Sequence, residues 1–143
     1  MSIRITSTLL QKIKDYFIDF NNERGGALLI KDNQIIAFLP LDNVSDSPHF
    51  SYIFSFDKLN DLLEKYDDYD GFGIIHSHYV SKDGFCYKYL TDGDLNFCKN
   101  FASSNSEFKT LIFPIIYLEK GNKEINWYQL VNDECELIEC EVI

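Results

Sequence analysis

No run of about 18 apolar residues occurs in the chain, so no membrane span is expected. The N-terminal stretch MSIRITSTLLQKIKDYF interleaves charges with its apolar positions and lacks a signal-peptide core, so the expected location is cytoplasmic. There the four cysteines, Cys86, Cys98, Cys135 and Cys140, would stay reduced. No two of them form a Cys-x-x-Cys, which sets aside a structural zinc site. His-x-Glu and Pro-Cys-x-x-Cys are both missing, and with them the zinc nucleoside deaminases. Basic residues are scarce: 13 Lys and Arg against 23 Asp and Glu leave a net charge of −10. That balance argues against nucleic acid or an anionic membrane as partner and suits a partner with a basic face. Repeats, low-complexity segments and linkers are absent.

What is present describes a packed globule. The 143 residues are 45% apolar, with twelve phenylalanines and nine tyrosines, enough for one domain spanning residues 1–143 with a real core. Richness in Ile, Asn, Lys, Asp, Tyr and Phe suggests an AT-rich, bacterial genome. Histidine is rare, with three in all, and two of them form His76-Ser77-His78. This triplet ends the apolar run Gly71 to Ile75, which reads as a buried strand. Residues i and i+2 of a strand point to the same face, so both imidazoles can aim at one point, as a shared metal requires. Imidazole is a favoured zinc ligand, and catalytic zinc sites typically take three protein ligands and a water.

A third ligand and a general base have candidates elsewhere. Thr91-Asp92-Gly93-Asp94, followed by the apolar Leu95, Phe97 and Phe101, reads as a helix start with Thr91 as N-cap and Asp94 as the N3 carboxylate. Asp94 can offer an oxygen to a metal. Glu23 precedes Gly25 to Ile30, an apolar strand opened by two glycines. Taken singly, each piece has an ordinary reading. A His-x-His in a strand is often two hydrogen-bonded side chains. Thr91 and Asp94 make a capping box, and Glu23 is a solvated loop carboxylate. His49 reads as a loop residue.

Along the chain, Thr6 or Ser7 caps a helix whose apolar face is Leu9, Leu10, Ile13, Phe17 and Phe20. Residues 24–30 and 34–39 read as strands joined by the tight turn Lys31-Asp32-Asn33. A strand is expected at 50–54 and a helix after Ser55 or Asp57. Next come the His-x-His strand, a long aromatic loop from Tyr79 to Leu90, and the helix from Thr91 to about Ala102. Strands at 110–118, 124–131 and 136–142 finish the chain. This order is mixed α/β, with helices packed on a sheet.

The residues Glu23, His76, Ser77, His78, Thr91 and Asp94 together resemble the pattern of the JAMM metalloproteases of the MPN (JAB/Mov34) domain. That family has a Glu before an apolar strand, then His-x-His with Ser or Thr between, then Ser-x-x-Asp. The segment ERGGALLI is similar to its Glu-x-x-Gly-x-Leu strand. IIAFLPLDNVSDSPHFSYIFSFDKL resembles its second strand with a Pro-Leu-x-Asn segment, and INWYQLVNDECELIECEVI its closing hairpin. Two features depart from the pattern. Tyr79 stands where a Pro usually follows the second His, and twelve residues, Tyr79 to Leu90, separate His78 from Thr91. The longer spacing reads as a five-residue insertion, with Asp83 and Asp92 as rivals to Asp94.

The resemblance implies an MPN (JAMM)-like α/β fold, a mixed, mostly antiparallel sheet flanked by helices. It implies Zn²⁺ held by His76, His78 and Asp94, with Glu23 as general base and Thr91 as the hydroxyl supporting the oxyanion. Ser77 would support the site through hydrogen bonds. The activity implied is a zinc-dependent isopeptidase or peptidase of the bacterial stand-alone, deubiquitinase-like type. It would cut at the C-terminal tail of a ubiquitin-like protein, in deconjugation or maturation. Ubiquitin-activating-like enzymes from the same operon are the further partners implied. The aromatic loop would border the scissile bond and clamp the narrow tail. The alternative is a catalytically silent scaffold module for a protein partner.

Overall fold

Strand pairing begins locally, at three two-residue turns. Asp32-Asn33, Lys120-Gly121 and Asn132-Asp133 all have positive φ, the conformation that matches the right-handed twist of flanking strands. They join β2 (Gly25–Lys31) to β3 (Gln34–Leu41), β6 (Ile115–Glu119) to β7 (Asn122–Val131), and β7 to β8 (Glu134–Ile138), each pair antiparallel. The computed structural model describes residues 2–143. Its other elements are β1 (Ile3–Ile5), α1 (Ser7–Tyr16), α2 (Phe56–Leu63), β4 (Gly71–Ser77), α3 (Asp92–Ser104), β5 (Thr110–Ile112) and β9 (Cys140–Val142).

The sheet runs β5-β7-β6-β4-β2-β3-β1-β9, with β8 also on β7. β8 and β9 are separated by Glu139 alone. The first half of this last stretch pairs with β7 and the second half with β1. The two ends of the sheet are thereby joined, and the strands form a closed ring. Ile3 N–H donates to the Glu139 carbonyl at the junction, 3.3 Å.

This architecture corrects the expected MPN-like α/β fold with helices flanking the sheet. Among the described residues nine strands build the body, and the three helices are short, of 10, 8 and 13 residues. The physical reason lies in the connections: where a two-residue turn returns the chain, no crossover helix is needed. Smaller differences follow the same logic. Residues 110–118 break into β5 and β6 around Phe113 and Pro114, since Pro has no N–H for a ladder. Residues 50–54, expected as a strand, are a loop. β1 pairs only with β3 and β9, both distant in sequence.

Alternation along β2 separates two cores. Leu28 and Ile30 pack with Ile13 of α1 and with Phe17 just after it. Ala27 and Leu29 pack with Leu59 of α2 and with Cys98 and Phe101 of α3. Thr6, Ser55 and Thr91 cap the three helices through their hydroxyls. Among the described residues, no helix is long and apolar enough to cross a membrane.

Candidate metal centre

His76 lies at the C-terminal end of β4, where the strand pairs antiparallel with β2 and parallel with β6, and His78 is the first residue past that end. Their rings are 5.0 Å apart, as side chains two residues apart on one face should be. α3 brings the third group. Thr91 Oγ1 accepts from Asp94 N–H at 3.1 Å, and the Asp94 carboxylate accepts from Thr91 N–H at 2.9 Å, a reciprocal capping box. The cap aims the Asp94 carboxylate at the histidines: Oδ1 is 3.2 Å from His76 Nε2 and Oδ2 is 3.1 Å from His78 Nε2. The candidate ligand atoms of His76, His78 and Asp94 all lie within 4.8 Å of one another, close enough to hold one metal ion.

The chemistry of the donors fits a cation. His78 Nδ1 sits 2.8 Å from the Tyr87 carbonyl, which can only accept. Nδ1 therefore carries a hydrogen, so once Nε2 gives up its own proton the ring can offer the Nε2 lone pair to a metal. Burial alone would push the His78 imidazolium down. The Asp94 hydrogen bond and charge, with the Tyr87 carbonyl, hold its pKa above the ordinary value. Burial would likewise raise Asp94, but hydrogen bonds from His76, His78 and Thr91 N–H outweigh it and keep the carboxyl well below the usual range. Without a metal these groups form a compact ion pair. With one, the same nitrogen and oxygen atoms would be its ligands.

Glu23 lines the same cleft, a space of about 350 Å³ shared with His76, His78, Thr91 and Asp94. The residue is 6% exposed, and among the described residues no ion pair engages it. Burial pushes its pKa up, against the pull of His76 and His78. A carboxyl placed this way can take and return a proton. Apolar residues, among them Phe50, Ile53, Phe54 and Phe97, also line it.

Of the residues expected from the sequence, Glu23, His76, His78, Thr91 and Asp94 meet in the cleft. Ser77 does not line it. Its buried Oγ accepts from Arg24 N–H at 3.0 Å, and Ser77 N–H donates to the Arg24 carbonyl at 2.8 Å, which ties the residue after Glu23 to β4. Asp83 and Asp92 are exposed and stand outside the ligand group. His49 packs its ring 4.3 Å from that of Tyr79 and hydrogen-bonds the Asn21 carbonyl.

Two supports escaped the sequence reading. Tyr87 lies in the loop expected to clamp substrate, yet its carbonyl fixes His78 from behind. Tyr52 stacks on His76, with 8° between the planes and centroids 6.1 Å apart. A Cβ at Gly25 would come within 2.5 Å of the Tyr52 ring, so the glycine makes room for it. A glycine opening an apolar strand was the signal for such a close approach.

No family model matches the chain, and no curated protein matches it. A solved fold does. The chain is similar to the solution structure of protein DSY2949 from Desulfitobacterium hafniense, with a TM-score of 0.64 at 20% identity. The match covers 99% of this chain and 92% of that one. At this identity the likeness is one of fold alone.

Proposed function

We propose that the protein is a zinc-dependent peptidase or isopeptidase of JAMM type, acting at the C-terminal tail of a ubiquitin-like protein. The carrying observation is the convergence of His76, His78 and Asp94 within 4.8 Å, with Glu23 in the same cleft. Two imidazoles and one carboxylate are a donor set suited to catalytic zinc. Zinc bound there would supply the positive charge that polarises a peptide carbonyl and acidifies water. Glu23 takes the proton of the attacking water and passes it to the departing amine nitrogen as the C–N bond breaks. Thr91 accepts from Asp94 N–H, so its own hydroxyl proton is free to donate to the developing oxyanion. The exposed apolar side chains of Phe50 and Ile53 offer an extended tail a surface to cover. The net charge of −10 favours a partner with a basic face, and ubiquitin-activating-like enzymes are the associated partners we infer.

The test is cleavage of fusions in which a genomically linked ubiquitin-like protein precedes a reporter. The zinc-loaded protein should cut after the tail, and a chelator should stop it. Glu23→Gln should keep the metal and lose about 10² to 10⁴ in rate. Full metal loading without cleavage of any such fusion would contradict the enzyme and favour a catalytically silent scaffold.

A further inference from the structure

A general base is useful only if its carboxylate is held in place, and Glu23 belongs to no helix or strand. Its backbone is held from two sides. On one side is β4, through the Ser77 bonds to Arg24. On the other is the loop after β3. Glu23 N–H donates to the Pro48 carbonyl at 2.7 Å, and the Glu23 carbonyl accepts from Asn43 Nδ2 at 2.8 Å. Both backbone polar groups of Glu23 thus end on this loop.

Asn43 is the hub of it. Nδ2 donates to Glu23 O and also to Ser51 O at 2.8 Å, with Pro48 O more distant at 3.5 Å. Oδ1 accepts from Ser45 N–H at 3.0 Å and from Ile53 N–H at 3.2 Å. Ser51 and Ile53 line the same cleft as the metal ligands, and Tyr52 between them stacks on His76. One side chain therefore binds the base and this segment to each other.

We propose that Asn43 is a positioning residue, which sets the Glu23 carboxylate and the cleft-lining segment Ser51 to Ile53 as one unit. The proposal rests on the reading of Glu23 as general base. The amide is suited to the task because it offers two donors and an acceptor from one rigid plane. A carboxylate in its place would keep the acceptor for Ser45 and Ile53 but turn oxygen toward the carbonyls of Glu23 and Ser51. Catalytic rates are steep in such geometry, where a displacement of about 1 Å can cost about 10²-fold.

The experiment compares wild type, Asn43→Asp, Glu23→Gln and the double variant. Measurements are kcat, KM, bound zinc, and amide hydrogen exchange at Glu23 and along β4. Asn43→Asp should lower kcat about 10²-fold with zinc content unchanged, since the Asn43 side-chain hydrogen bonds go to Glu23, Ser45, Pro48, Ser51 and Ile53 and to none of the metal ligands. If Asn43 acts through Glu23, the double variant should be no slower than Glu23→Gln alone. An unchanged kcat in Asn43→Asp, or a double variant slower by the full product, would overturn the proposal. Should the wild type cleave nothing, the functional reading fails and exchange decides the positioning. Glu23 N–H should then exchange about tenfold faster in Asn43→Asp while β4 amides stay protected, and equal exchange would overturn it. Asn43→Gln, which keeps the amide but moves it by one methylene, serves the same comparisons if Asn43→Asp does not fold.

Discussion

His78 is held at both ring nitrogens, and this decides how protons and a metal compete for it. In the metal-free protein its pKa is raised above 6.5, so its contribution to stability is complete below 6.5 and is lost as pH rises through the folded value. Asp94 is shifted the other way, so its contribution is present above 3.8 and is lost as pH falls through the folded value. The metal must displace the proton from His78. Stabilisation by zinc should therefore be larger at about pH 8 than at about pH 6, measured as the rise in Tm on adding metal. Equal shifts at both values would contradict His78 as a ligand. The third ligand is separable in the same assay. Asp94→Ala should weaken zinc binding strongly, whereas Asp83→Ala and Asp92→Ala should not. If Asp94 only capped α3, its loss would cost typically about 0.5–2 kcal/mol of stability and leave zinc affinity intact.

At the scale of elements, the loop Tyr79 to Leu90 has a defined shape. Val80 and Cys86 form a bridge, Ser81 N–H donates to the Phe85 carbonyl, and the Cys86 thiol donates to the His78 carbonyl at 3.4 Å. Further along, the loop places the Tyr87 carbonyl behind His78. Deleting Lys82 to Tyr87 should therefore weaken zinc affinity by about 10- to 100-fold, the usual range for losing a partner behind a ligand. Isothermal titration would read it, and unchanged affinity would reduce the loop to a surface feature. Local signals made the site elements legible: the apolar run into His76-Ser77-His78, the capping box at Thr91 and Asp94, and the glycines after Glu23. The stretch 50–54 misled because Tyr52 and Phe54 alternate like strand residues. Its backbone groups instead go to Asn43, Val44 and Ser47, and the role of Asn43 depends on a loop geometry that pattern does not encode. The Tyr87 contact was hidden for the same reason, since a backbone carbonyl leaves no mark on residue type.

For the whole molecule, the closed ring was the least legible feature. β1 and β9 are three residues each, and they meet only because the chain's two ends are brought together. Ser7 N–H donates to the Ile143 carbonyl and Ile143 N–H to the Ile5 carbonyl, at 3.0 and 2.9 Å. Removing residues 139–143 should open the ring and lower Tm, read by circular dichroism, and an unchanged Tm would show that closure adds nothing to stability. The ring holds β4, which bears the histidines, beside β2, whose entry bears Glu23, and α3 is packed against the same core. The site is thus a product of the whole fold, and its occupancy is the most direct test of the account. Elemental analysis of the purified protein should find about one zinc per chain in the wild type and none in the His76→Ala, His78→Ala double variant. Stoichiometric zinc retained in the double variant would contradict the account.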